Sequence, residues 1–180
     1  MEPMALLMSE HRVIQSVLDA LVAQGTAVNR GGAVDPTRLR DFVAFLRGYA
    51  DAIHHGKEES ILFAVLRQDS TPVPAAALIS ANCRDHETAR LLTSDLGAHA
   101  RRTSWTARDR DDLVRVVNEY ASLLRRHIAD EDQRLFPALA AVLGPEGMRR
   151  VAAAFEAFER DHALQRDELL ALASRLAGPG

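Results

Sequence analysis

Histidine recurs in the middle of apolar helical stripes, and that placement limits what the chain can become. Leu7, Ile14, Leu18 and Leu21 follow one another at alternating spacings of four and three once His11 fills the gap between the first two. This is the stripe of a bundle helix. A second stripe holds Val43, Leu46, Ala50, Ile61 and Val65, with His54 and Glu58 between them. A third carries Ile79, Ala89 and Leu96 around His86, and a fourth runs through Leu113, Val117, Tyr120 and Leu124 to His127 and Glu131. A fifth, with Val151, Phe155, Phe158, Leu169, Leu172 and Leu176, spans about residues 146–177.

The breaks between stripes agree with this division. Gly25 and the Asn29–Gly32 stretch end the first helix. Asp35 as N-cap with Pro36 at the first helical position starts the second. The second stops at Asp69–Pro74, and a polar connection covers Arg101–Arg108. Pro137 marks a late kink or fraying of the fourth helix, and Gly144–Pro145 its end. No stretch alternates with the two-residue period of a strand. The expected fold is all-α: one domain over residues 1–180, an antiparallel four-helix bundle over about 5–143 with an additional C-terminal helix.

Composition narrows the function classes. Apolar residues make up 47% and charged residues 26% of the 180, with a net charge of −3, an ordinary globular balance. The basic pairs Arg101–Arg102, Arg125–Arg126 and Arg149–Arg150 are short and scattered, so no nucleic-acid surface is expected. No run approaches the ~18 apolar residues of a membrane span, and Glu10, His11 and Arg12 interrupt the only candidate signal segment. Cys83 is the single cysteine, which excludes an intrachain disulfide and suits the expected cytoplasmic location. Lys57 is the only lysine; the arginine bias reads as genome composition without functional weight.

The chemistry lies in a repeat. His54-His-Gly-Lys-Glu58-Glu-Ser-Ile-Leu-Phe63 aligns with His127-Ile-Ala-Asp-Glu131-Asp-Gln-Arg-Leu-Phe136. A histidine and a glutamate four apart share one helix face. His11, His54, His86 and His127, with Glu58 and Glu131, would then converge on one interior volume. Two ionised carboxylates in a core are costly without counter-charge. Two metal ions would supply it, and imidazole with carboxylate suits iron, or less specifically zinc or manganese. Any one histidine alone would read as a packed core residue; the set of four does not.

These segments, with Ser9-Glu-His11-Arg and Asp85-His86-Glu, resemble the hemerythrin-like, or HHE cation-binding, family over about Leu6–Leu143. The resemblance implies a carboxylate-bridged non-haem di-iron site, oxo- or hydroxo-bridged. It implies His11 and His54 on one iron, His86 and His127 on the other, and Glu58 and Glu131 as bridges. It further implies a small partner such as hydrogen peroxide, oxygen or nitric oxide, with catalase-like or peroxidase-like activity as an expectation. A non-enzymatic oxygen or iron sensor, or an iron store, is the alternative. Arg90 departs from the pattern: oxygen-carrying hemerythrins place a further histidine there, which leaves one iron a protein ligand short. Only one Glu-x-x-His pair occurs, Glu159–His162, where a ferritin-type site uses two, which argues against such a site.

Other residues carry weaker readings. His162 could fill the gap left by Arg90 or pack where the fifth helix docks. Glu59 and Asp132 read as surface charge, with supplementary metal ligands or imidazole acceptors as the alternatives. His55 lies about 100° round an α-helix from His54 and reads as a non-ligand. His99 reads as surface, Tyr49 and Tyr120 as core tyrosines, with a redox-active or pocket tyrosine as the alternative for Tyr120, and Cys83 as a buried filler.

Overall fold

Side-chain caps start three of the long helices, and the Asp35–Pro36 start read from the sequence is one of them. The structure is a computed structural model that describes residues 2–68 and 72–178. Glu2 caps α1 (Pro3–Asn29) by accepting from the backbone N–H groups of Met4 and Ala5. Asp35 caps α2 (residues 36–68) by accepting from Thr37 and Arg38 at 2.9 and 3.1 Å. The expected break at Asp69–Thr71 lies outside the described residues; α3 (Val73–Ala100) begins at Val73 with proline in its first turn. Thr106 and Asp109 form a capping box at the head of α4 (residues 107–143).

α2 and α4 are not regular throughout. Two stretches of α2, Leu46–His55 and Glu58–Leu62, and one of α4, Glu131–Leu135, have the wider π-turn. A π-turn closes from residue i to i+5, so each residue advances less around the axis than in an α-helix, and such turns gather at functional sites. The stretch in α4 ends just before Pro137, whose ring would clash with a carbonyl four residues back in a tight α-turn. The helix passes this proline unbroken.

Gly144, with φ of 58°, breaks the chain direction before Pro145. The C-terminal segment is then two helices, α5 (residues 145–161) and α6 (Ala163–Ala177), meeting at His162. No strand occurs among the described residues, and no helix is long and apolar enough to cross a membrane. α1 packs on α4, α4 on α3, and α3 on α2, while α6 lies against α1 and α2.

The apolar core divides into two clusters. One contains Ile14, Leu18, Phe42, Leu46, Leu96, Val117 and Leu124. The other contains Leu7, Leu62, Phe63, Ile79, Phe136, Leu139 and Phe155. Every histidine–glutamate motif falls at the junction. Along α1 and α3 the second cluster precedes the histidine and the first follows it; along α2 and α4 the order is reversed. A polar layer is thus sealed between two hydrophobic plugs.

Candidate metal centre

The polar layer is buried. His11, Glu58, His86 and Glu131 have no exposed surface, and His54 and His127 are buried. All six residues singled out in the sequence come together here. The two glutamates occupy equivalent places. Glu58 sets Oε1 3.7 Å from His54 Nε2 and Oε2 3.4 Å from His86 Nε2. Glu131 sets Oε2 3.0 Å from His11 Nε2 and Oε1 3.3 Å from His127 Nε2. Each carboxylate therefore offers one oxygen to the His11/His54 side and one to the His86/His127 side.

The other ring nitrogens are occupied by acids. His11 Nδ1 meets Asp132 at 2.7 Å, His54 Nδ1 meets Glu10 at 2.9 Å, and His86 Nδ1 meets Glu59 at 2.6 Å. His127 Nδ1 faces Asp85 at 3.7 Å. A carboxylate on Nδ1 fixes the proton there and turns Nε2 inward as a donor pair for a metal. Glu59 and Asp132 are thus not plain surface charge, as the sequence suggested. Each follows a motif glutamate and reaches a histidine on another helix. Glu10 and Asp85, each the residue before a motif histidine, do the same in the other direction.

Sequence reasoning missed His55. It is buried, its ring stacks on His86 with centroids 3.8 Å apart, and its Nδ1 lies 3.4 Å from Asp51. His55 lies in the π-turn over Leu46–His55, whose smaller angular step brings it closer to the face of His54 than the 100° step of an α-helix would, and both rings are buried. Asp51, four residues earlier on the same helix, was the available signal. Asn82, also unremarked, donates from Nδ2 to Glu131 Oε1 at 2.6 Å.

Two groups of ligand-type atoms result, each gathered within 4.8 Å: His11, His54, Glu58 and Glu131; and His55, His86 and His127. His162 does not join them. Its ring stacks on Phe158 at 4.0 Å and its Nδ1 meets the Phe158 carbonyl at 2.9 Å. His99 is buried rather than on the surface, stacked on Trp105 and 3.0 Å from Asp112. Tyr49 and Tyr120 are core residues and Cys83 is half-buried.

The electrostatics show what the layer needs. Burial pushes the Glu58 carboxyl well above its ordinary range, and the neighbouring Glu131 charge adds to that. Burial acts the same way on Glu131, but His127, His11 and Asn82 outweigh it and hold its carboxyl low. Burial opposes charge on His11, yet Asp132 and Glu131 raise it to about 9. Burial, then the charges of His11 and Lys57, lower His54. Both Glu58 oxygens, His86 Nε2 and His127 Nε2 lack hydrogen-bond partners despite full burial. Buried polar atoms without partners are expensive, and four of them aimed at one volume fit a site made for cations.

The family model for the hemerythrin HHE cation binding domain matches residues 2–139. The chain belongs to this family. Its domain binds metal cations, typically iron, and the buried His/Glu groups are the residues here that could hold a metal. The match spans α1 to α4 and stops short of α5 and α6. No curated protein and no solved structure matched the chain.

Proposed function

We propose that this hemerythrin-like protein holds a non-haem di-iron centre and binds or reduces a small oxidant there: hydrogen peroxide, oxygen or nitric oxide. His11 and His54 would hold one iron, His86 and His127 the other, and Glu58 and Glu131 would bridge. The observation that carries this is the split of each carboxylate, one oxygen toward each histidine pair. The helices would run as an antiparallel four-helix bundle, a reading supported by the reversal of cluster order between successive helices.

Iron would supply Lewis acidity and exchange electrons with the ligand. The chain does the rest. Its two apolar plugs exclude water, which strengthens every charge interaction in the layer. Its Nδ1-bound acids fix each imidazole tautomer and raise its basicity.

Purified protein should take up about two irons per chain, as a pair of imidazole–carboxylate sites requires. Near-ultraviolet charge-transfer absorbance should change on anaerobic addition of peroxide. One zinc per chain, or iron retained undiminished in a His54→Ala/His127→Ala double variant, would refute the site. A di-iron protein indifferent to peroxide would keep the site and favour a sensing or storage role.

A further inference from the structure

The supporting acids obey a two-fold pattern with one exception. Glu10–His11 on α1 corresponds to Asp85–His86 on α3: in each, the acid serves a histidine of the next helix. His54, Glu58 and Glu59 on α2 correspond to His127, Glu131 and Asp132 on α4. His55 has no counterpart, because the equivalent residue on α4 is the buried apolar Ile128. Yet His55 shares burial and a carboxylate at Nδ1 with the other four imidazoles, and it has an atom within 4.8 Å of ligand-type atoms of His86 and His127.

Arg90 explains how it is held. The guanidinium donates from Nε to Asp51 at 2.7 Å and from Nη2 to Glu59 at 2.8 Å. Those two acids are the Nδ1 partners of His55 and His86. The residue that stands where a further histidine is expected thus ties together the acids that aim two neighbouring imidazoles. We propose that His55, oriented by Asp51 and Arg90, is a fifth imidazole ligand on the His86/His127 side of the metal pair. This rests on the proposed metal pair. It makes the pair unequal, with three imidazoles on one side and two on the other, and leaves the more open coordination at His11 and His54.

A cavity of about 280 Å³ borders His55 and is lined also by Asp51, Ala89, Arg90 and the exposed Arg47. It is large enough for a free imidazole to reach the place of a deleted side chain.

The test uses the full chain loaded with ferrous iron. Proton NMR should show five hyperfine-shifted, solvent-exchangeable imidazole N–H resonances, one for each Nδ1 that faces an acid. His55→Gly should lose one of them and release iron to a chelator faster, and added imidazole should restore retention. Asp51→Asn should weaken iron binding about 10–100-fold, as loss of an acid behind a ligand does, and His162→Gln should change nothing. Four resonances in the unaltered chain, iron retention in His55→Gly equal to it, or a loss that imidazole does not restore would overturn the assignment. If His55→Gly does not fold, the resonance count and Asp51→Asn decide. An unaltered chain that takes up no metal pair would remove the proposed function itself; a loaded pair with four resonances removes only this inference.

Discussion

His54 Nδ1 lies 2.9 Å from Glu10 Oε2, and both side chains are sealed from solvent. The carboxylate fixes the ring so that Nε2 faces Glu58, and it makes that nitrogen a stronger donor. Glu10→Gln keeps the shape but removes the charge. Its iron affinity should fall about 10–100-fold, the usual cost of losing such a partner, while the metal-free helix content stays the same. Competition with a chelator and circular dichroism check this; unchanged affinity would show that Glu10 only packs.

Glu10 is itself held by Lys57, the sole lysine, which has no exposed surface and also meets Glu159 at 2.5 Å. Breaking a buried pair from one side leaves an uncompensated charge and costs about 3–5 kcal/mol. Lys57→Met should lose about that much in urea unfolding of the metal-free protein. Adding Glu10→Gln to Lys57→Met should recover part of the loss, because the stranded carboxylate is gone. A loss below about 1 kcal/mol would place this network among weak, surface-like pairs.

The residues show where sequence reasoning reached and where it stopped. His11, His54, His86 and His127 were legible because each sits on an apolar stripe whose period fixes its direction. The break at Gly144–Pro145 was legible because glycine and proline restrict the backbone locally. His55 was hidden because its direction depends on a π-turn, which leaves no mark in a 3.6-residue period. The roles of Glu59, Asp132 and Lys57 were hidden for another reason: their partners lie on other helices, and only packing brings them together. His99 was misplaced on the surface because Trp105 and Asp112, which cover it, come from beyond its helix.

Gly48 marks where the C-terminal helix docks. A Cβ built there would lie 2.8 and 2.9 Å from the two methyl carbons of Leu169 on α6. Leucine at this position has to displace that contact, and overpacking costs about 1–3 kcal/mol. Gly48→Leu should lower the unfolding free energy by about that amount and raise protease cleavage within α6. Equal stability and equal cleavage would mean that α6 is not held by this contact.

Glu159 joins the C-terminal helices to the metal layer, for it reaches Lys57 on α2 and Arg166 on α6. Burial raises its pKa, but hydrogen bonds to Lys57 and Arg166 outweigh that and set it below the ordinary 4.5. A group whose folded pKa is depressed binds protons more weakly folded than unfolded. Its stabilisation is therefore full above pH 4.5 and disappears as pH falls through the lower folded value. Glu159→Gln should melt at a lower temperature than the unaltered chain at pH 7, and the two melting curves should converge as the pH is taken below that of the unfolded carboxyl. A difference that stays constant with pH would assign the loss to packing, and one that grows in acid would reverse the sign of the ion pair's contribution.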